Sequence, residues 1–389
     1  MRRPEPFRKQ VICGPADFEP SSDRMKVVGA FNPGVTTIYE NGEKRTLLMV
    51  RVAEMPAYEK DGMVSLPYFG VNNSVDSPFK IETDDVPVDH LKGKGKKEVV
   101  LPDGRARLRH VSYPKILKLA ENGNQEMGVV YRETGIPSFY PCFEHERFGV
   151  EDFRITPNEN CYFLTYVSAH RDQEVSTSVA KTQDFEDFER FPINQKPKPI
   201  FAGMKDVALF GDRLPSPHTR QDSVDDWAAL VRPNAFPGIS KPGIWLSYSP
   251  GTFDEEHEHH LLYWGHKHRL IKSLNGEFSG TGAPLSRVDD VWMGPFHVVE
   301  GKDEKKRYMG ALFALDNNEP WRLTHRSGLL TEPNDFDLEP GFVPNVDYPI
   351  GMVVGDGVTD IYSGIDDTYV GLRRYYTEDL LEFLKKGEV

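Results

Sequence analysis

The sequence predicts an all-β protein: a five-bladed β-propeller with a C-terminal helix and a long insertion near the N-terminal blades. The 389 residues include 33 glycines and 30 prolines, and long helical patterns are nearly absent. Short apolar stretches alternate with turn residues, which is typical of antiparallel strands. About five such hairpin-rich units follow one another along the chain. A propeller, whose blades are small antiparallel sheets, requires this arrangement.

The units can be followed in chain order. TTIYENGEKRTLLMVRVAE predicts a hairpin that turns at Asn41-Gly42 and whose second strand ends at Arg51. FRITPNENCYFLTYVSA repeats the plan, turning around Pro157 to Asn160. Three further units are VALFGDRL…WAALVRP…GIWLSYSP, VWMGPFHVVEG…RYMGALFALD and GMVVGDGVTDIYSGIDDTYVGLRRY. No fixed motif recurs, so the repeat is structural, and a pair of β-sandwiches is the alternative fold.

We expect one domain over residues 1–389. Its interval 52–146 contains a loop-rich insertion, which includes the basic stretch LKGKGKKEVVLPDGRARLRH. Residues 377–389, TEDLLEFLKKGEV, predict the helix, because Thr377 can cap it, acids occupy its first turn and leucines share one face.

Composition narrows the class of protein. The net charge of −13 argues against nucleic acid as a partner, because binding phosphates requires an excess of Lys and Arg. The cysteines Cys13, Cys142 and Cys161 are an odd number without metal spacing, which favours free thiols. No apolar run approaches the ~20 residues of a membrane span, and the N-terminus has no signal-peptide core. We therefore expect a cytoplasmic protein, or a periplasmic one if a leader has been removed.

Polar residues near the ends of predicted inner strands are the candidates for a site, because those strands line the central funnel of a propeller. The stretch FGVEDFRIT places the acids Glu151 and Asp152 two residues before Arg154 in an apolar frame. The other candidates, taken unit by unit, are Asn32, Arg51, Lys205, Asp206, Arg232, His297, Tyr308 and Asp367.

Eight motifs resemble glycoside hydrolase family 130 in their order along the chain. They are FNPG, the strand ending VRVAE, GVEDFRIT, KDVALF, VRP, FHVVE, VPNV and YSGIDDT, and together they span roughly Phe31 to Arg374. The resemblance implies a five-bladed propeller that acts on β-mannosides. Most members of the family are inverting phosphorylases and a minority are hydrolases.

The resemblance also implies residue roles. Asp152 matches the acid that protonates the glycosidic oxygen, a step that a poor alkoxide leaving group needs. Adjacent Glu151 is expected to raise the proton affinity of Asp152, whereas Arg154 opposes this. Asn32, Arg51 and Asp367 match residues that bind the mannosyl hydroxyls.

The attacking group distinguishes phosphorolysis from hydrolysis. Arg232, His297 and Tyr308 match residues that bind phosphate in family phosphorylases, and Tyr308 also borders the substrate. The family's Arg-Asn pair, however, is Lys205-Asp206 here, and Asp206 is expected to repel a dianion unless it is turned away or neutralised. A family lysine before a glycine-rich turn is replaced by Glu277 or, with a shifted gap, Phe278.

These departures favour an inverting β-mannosidase for β-1,2- or β-1,4-linked manno-oligosaccharides. Asp152 is its predicted acid and Glu277 its base, with Glu300 and Glu258 as reserve candidates. A phosphorylase that uses inorganic phosphate and binds it through Lys205, Arg232 and His297 is the alternative. A noncatalytic sugar-binding propeller and an arabinanase-like glycosidase with three acids are further alternatives.

The expected partner is an oligosaccharide, with no membrane, cofactor or metal, and a homo-oligomer is left open. The five histidines at 257–268 favour a polar loop over a metal site, because their spacing matches no zinc signature.

Overall fold

The computed structural model describes residues 2–169, 175–191, 196–215, 226–233, 243–249, 266–271, 278–301 and 306–387. Within these residues the chain forms strands β1 to β26 and one α-helix. The first strands are β1 (Arg8–Cys13), β2 (Met25–Glu40), β3 (Glu43–Pro56), β4 (Met63–Phe69), β5 (Ile81–Pro87), β6 (Gly93–Lys94), β7 (Glu98–Val100), β8 (Ala106–Leu108), β9 (Val111–Glu121), β10 (Met127–Arg132), β11 (Val150–Pro157), β12 (Tyr162–Ser168) and β13 (Ser176–Thr182). The remaining strands are β14 (Glu189–Arg190), β15 (Met204–Leu209), β16 (Trp227–Pro233), β17 (Ile244–Ser249), β18 (His266–Ile271), β19 (Phe278–Thr281), β20 (Ser286–Val288), β21 (Val291–Glu300), β22 (Arg307–Asp316), β23 (Leu323–Thr331), β24 (Asp347–Gly355), β25 (Val358–Ile365) and β26 (Tyr369–Tyr376).

Five antiparallel sheets make up most of the described chain, which confirms the all-β prediction. Their strand orders are β10-β9-β3-β2, β11-β12-β13-β14, β15-β16-β17-β18, β19-β21-β22-β23 with β20 beside β21, and β24-β25-β26-β1. The last sheet joins the two ends of the chain, since β1 pairs with β26.

Neighbouring sheets contact one another through particular strands. β2 contacts both β11 and β24, β11 contacts β15, β15 contacts β19, and β24 contacts β21. Apolar side chains fill the spaces between neighbouring sheets. Met49 of β3, for example, packs in one cluster with Phe153 of β11, and Phe163 of β12 packs with Val207 of β15.

The first predicted hairpin is present as β2 and β3. Asn41 (φ 51°) and Gly42 (φ 79°) both adopt left-handed conformations, which suit the twist of a two-residue hairpin turn. The second strand does not end at Arg51, as predicted, but continues to Pro56. The reason is that residues after Arg51 pair with β9, including Val52 with Tyr113 and Glu54 with Val111.

The predicted insertion is shorter than the interval 52–146. Residues 111–132 include β9 and β10, which belong to the first large sheet. We call residues 57–110, between β3 and β9, the inserted lobe. It holds the β4–β5 hairpin and the small β6–β7–β8 sheet, and a core of its own around Val64, Leu66 and Val99.

The predicted C-terminal helix is α1, Thr377–Lys385. It buries Leu380, Phe383 and Leu384 against the last two sheets. Thr377 is its first helical residue, and the Thr377 hydroxyl hydrogen-bonds Thr359 (2.9 Å) instead of capping the helix. No helix in the described part of the chain is long and apolar enough to cross a membrane. The three cysteines are free thiols, as predicted.

Candidate active site

Three strands, β2, β11 and β15, each interrupt the pairing with the strand that follows. The register shifts after Phe31 in β2, after Glu151 in β11 and after Lys205 in β15. The next residue of each strand takes a positive φ: Asn32 (45°), Asp152 (54°) and Asp206 (52°). Asn and Asp tolerate this conformation better than other side chains, and such bulges redirect the side chain they carry.

A short motif accompanies these bulges, so the expectation that no fixed motif recurs is wrong at this point. Its form is Gly-x-x-Asn/Asp, and its copies are Gly29–Asn32, Gly149–Asp152 and Gly203–Asp206. Glycine is required at its first position for two reasons. Gly149 and Gly203 have positive φ, and a Cβ on Gly29 would lie 2.3 Å from the Asp367 carbonyl. This spacing was available in the sequence as a signal for the site.

Arg51 is the centre of the first charge cluster, the Arg51 cluster. Its guanidinium is buried and donates to Asp152 Oδ1 (3.0 Å), Glu151 Oε1 (2.7 Å) and Ser112 Oγ (3.0 Å). Asn32 Nδ2 also donates to Asp152 Oδ1 (2.9 Å). The structure therefore brings the predicted residues Asn32, Arg51 and Asp152 together, and it pairs Glu151 with Arg51 rather than with Arg154.

Asp152 is an ionised carboxylate in this arrangement. Burial disfavours its charged form, but Arg51, the amide of Asn32 and Arg154 outweigh burial and lower its pKa below the ordinary value. Arg51, which binds both acids, thus opposes the increase in proton affinity that Glu151 is expected to cause in Asp152.

Asp206 is the centre of the second charge cluster, the Asp206 cluster. Its Oδ1 accepts hydrogen bonds from the Tyr348 hydroxyl (3.0 Å) and Arg154 Nη2 (3.4 Å). Its Oδ2 forms an ion pair with Arg232 Nε (2.6 Å) and lies 3.7 Å from His297 Nε2. Burial opposes ionisation, but these neighbours hold the pKa of Asp206 well below its usual range. The charge of Asp206 is compensated inside the protein.

The other predicted anion-binding residues surround this cluster. Burial is the main cause that lowers the pKa of His297 to about 3, with Arg232 and Arg154 acting in the same direction. The Tyr308 ring centroid lies 5.9 Å from that of His297. Burial and Arg232 lower the pKa of Lys205. No carboxylate of the described residues forms an ion pair with the Lys205 ammonium.

Asp367 lies in the turn between β25 and β26 with φ 46°. Its Oδ2 accepts a hydrogen bond from Lys97 Nζ of the inserted lobe (2.9 Å). A second residue at the end of that lobe, His110, has Nε2 3.3 Å from Arg51 Nη2. A basic stretch of this kind is typical of a charged loop, and neither contact is predictable from it, because only the fold brings the lobe to the site.

Some predicted residues fall elsewhere. Glu277 and Glu258 lie outside the described residues, as do the side chains of the five histidines at 257–268. Phe278 begins β19, and Glu300 ends β21. Among the residues that the structure describes, no group of three or more His, Cys, Asp or Glu could hold a metal ion.

The family profile of glycoside hydrolase family 130, described as β-1,4-mannooligosaccharide phosphorylase, matches residues 123–386. The chain belongs to this family. It is 26% identical over 368 residues to β-1,2-mannobiose phosphorylase of Listeria innocua serovar 6a, which covers 93% of each chain. It is 22% identical over 278 residues to 1,2-β-oligomannan phosphorylase of a Thermoanaerobacter species, covering 70% of this chain and 83% of the relative.

The fold agrees with membership of family 130. The solved structure of the Listeria innocua phosphorylase with β-1,2-mannobiose superimposes with a TM-score of 0.77 at 24% identity, covering 96% of this chain and 97% of the other. The family resemblance expected from the motifs is thus confirmed, and the chain is an enzyme of family 130.

Proposed function

We propose that this family 130 enzyme is an inverting β-1,2-mannoside phosphorylase, which uses inorganic phosphate to release α-mannose 1-phosphate from the end of a manno-oligosaccharide. The observation that carries the proposal is the compensation of Asp206 by Arg154, Arg232 and Tyr348. The sequence favoured hydrolysis largely because Asp206 was expected to repel phosphate, and this compensation removes that objection.

The fold supports a central site. Each sheet contacts the next one, through β2 and β11, β11 and β15, β15 and β19, and β21 and β24. In addition β24 contacts β2, and β1 completes the last sheet beside β26. We propose that these sheets are the five blades of a closed propeller. The clusters around Arg51 and Asp206 then line its central funnel.

Lys205 and Arg232 form the proposed phosphate site. They are paired residues on β15 and β16, so their side chains leave the same face of the sheet. Asp206 fixes Arg232 through Nε, while the two Nη atoms have no partner among the described residues. A guanidinium edge beside an ammonium suits a phosphate oxyanion, the first by paired hydrogen bonds and the second by charge.

The mannosyl unit is assigned to Asn32, Arg51 and Asp367, whose amide, guanidinium and carboxylate can hydrogen-bond sugar hydroxyls. Asp152 gives its proton to the glycosidic oxygen as the bond to the anomeric carbon breaks. In the same step a phosphate oxygen bonds to that carbon from the opposite face. Inversion converts the β-mannoside to α-mannose 1-phosphate, and the proton leaves on the released sugar.

The low pKa of Asp152 fits this role once phosphate is bound. Lys205 lies close enough to the acids of the Arg51 cluster that Glu151 and Asp152 act on its pKa, and Arg232 lies beside Lys205. A phosphate dianion there offsets both cations and raises the proton affinity of Asp152 by like-charge repulsion. Protonation of the acid is thereby coupled to binding of the co-substrate.

The test is to incubate the protein with β-1,2- and β-1,4-linked mannobiose, each with and without phosphate. We expect mannose 1-phosphate from the β-1,2-linked sugar only when phosphate is present. Free mannose at the same rate without phosphate would instead support the hydrolase interpretation, with Asp152 as acid and Glu277 as base. Binding of mannobiose without turnover in any condition would favour the noncatalytic alternative.

A further inference from the structure

The inserted lobe reaches the mannosyl site through Lys97. Lys97 Nζ donates to Asp367 Oδ2 (2.9 Å), and 41% of the Lys97 side-chain surface is exposed. The carboxylate of Asp367 is the main cause that raises the pKa of Lys97, so the ammonium is charged at neutral pH. A second charged group thus lies beside the carboxylate assigned to the sugar.

The main chain around Lys97 is held in place by Arg109. The Arg109 amide donates to the Lys97 carbonyl (2.9 Å), and Arg109 Nη1 donates to the Gly95 carbonyl (3.0 Å). Arg109 is itself fixed by Glu59 through Nη2 (2.7 Å). The main chain of Lys97 is consequently held in an ordered turn, and its side chain is held by the hydrogen bond to Asp367.

Two further contacts fasten the lobe to the same side of the site. Lys96 Nζ donates to the Gly341 carbonyl (3.3 Å) and lies 5.4 Å from the centre of the Phe342 ring. The His110 ring meets that of Phe342 edge-on at 5.6 Å. The Phe342 amide in turn donates to Thr368 Oγ1 (2.6 Å), next to Asp367. These contacts hold the inserted lobe and the Asp367 turn together on one side of the site.

We propose that Lys97 is a specificity-determining residue, which donates a hydrogen bond to a hydroxyl of the mannosyl unit bound by Asp367. This proposal rests on the proposed function of the same site. An ammonium has three donors, and among the described residues the side chain uses one, on Asp367. Asp367 can only accept and Lys97 can only donate, so together they recognise two neighbouring hydroxyls, one as donor and one as acceptor.

The test compares Lys97→Met, Lys97→Arg and the matched control Lys94→Met. Lys94 lies in the same lobe but faces Glu59 (3.7 Å) instead of Asp367. We expect Lys97→Met to raise KM for β-1,2-mannobiose about 10- to 100-fold, the range for a hydrogen bond to a charged group, with KM for phosphate unchanged. Lys97→Arg should recover part of the loss, and Lys94→Met should match the parent enzyme.

A binding measurement separates this proposal from the proposed reaction. β-1,2-mannobiose is titrated calorimetrically, without phosphate, into Asp152→Asn protein with and without Lys97→Met, and both melting temperatures are recorded. Weaker binding at an unchanged melting temperature supports the direct contact. Equal affinity, or a KM effect confined to phosphate, overturns it. Because the titration needs no turnover, a failure of phosphorolysis overturns the reaction and leaves this comparison intact.

Discussion

The Arg51 cluster and the Asp206 cluster both form at a strand bulge, but the charge at the centre of one is opposite to that at the centre of the other. In the first, one buried guanidinium is shared by two carboxylates, Glu151 and Asp152. In the second, one buried carboxylate is shared by the guanidinium groups of Arg154 and Arg232. Both clusters grow from a bulge whose Asp has a positive φ.

The residue before each bulged Asp accounts for much of the difference. It is Glu151 in β11 and Lys205 in β15. An acid at this position adds to the negative charge around Arg51 and suits a site that handles a proton and sugar hydroxyls. A lysine at the equivalent position adds to the positive charge around Asp206 and suits an anion. One repeated strand geometry can therefore supply two different chemistries.

The largest effect that tests this contrast is expected from Asp152→Asn. The amide keeps the size of the side chain and its contact with Arg51 but cannot deliver a proton, so kcat should fall by at least about 100-fold. The measurement is the initial rate of mannose 1-phosphate release at saturating mannobiose and phosphate.

Glu151→Gln is the matched comparison for Asp152, since it removes a neighbouring charge from the same guanidinium. A smaller loss of kcat is expected, because Glu151 acts through Arg51. Equal losses from the two variants, or near-normal activity of Asp152→Asn, would contradict the assignment of the proton to Asp152.

In the Asp206 cluster, Asp206→Asn is expected to lower the free energy of unfolding. It leaves the buried guanidinium of Arg154 and that of Arg232 without their shared counter-charge, and breaking a buried ion pair in this way costs about 3–5 kcal/mol of unfolding free energy. Denaturant-induced unfolding at pH 7 measures this. The control is Asp356→Asn, which breaks the exposed pair with Lys44 and should change stability little. A stable Asp206→Asn protein would mean that Asp206 does not compensate these cations.

The sequence was sufficient where the signal is local. Asn41-Gly42 identified the first hairpin, and the spacing of apolar residues identified α1. The order of the motifs predicted the family and, through it, the roles of Arg51 and Asp152. The sequence could not predict partners that only the fold brings together. Glu151 pairs with Arg51, 100 residues away, and Asp206 pairs with Tyr348, 142 residues away.

Lys97 illustrates the same limit for the inserted lobe. A lysine in a basic stretch is typical of a solvated loop. Its position beside the candidate site follows only from the hydrogen bond to Asp367, 270 residues further along the chain. Similarly, the effect of Asp206 on the proposed phosphate site depends on which cations surround Asp206, a question that its neighbours in the sequence do not answer.

The smallest effect, measured per pH unit, concerns the protonation of His297. Its folded-state pKa of about 3 lies below the ordinary 6.5, so the unfolded chain takes up a proton between pH 6.5 and 3 that the folded protein does not. Stability should therefore fall with decreasing pH in that window, by about 1.4 kcal/mol per pH unit for this group alone.

His297→Asn should make the plot of unfolding free energy against pH shallower. His110→Asn should act in the same direction, because burial and Arg51 also lower the pKa of His110. An unchanged slope for His297→Asn would mean that His297 is charged beside Asp206, which would make the second cluster more positive than the structure indicates.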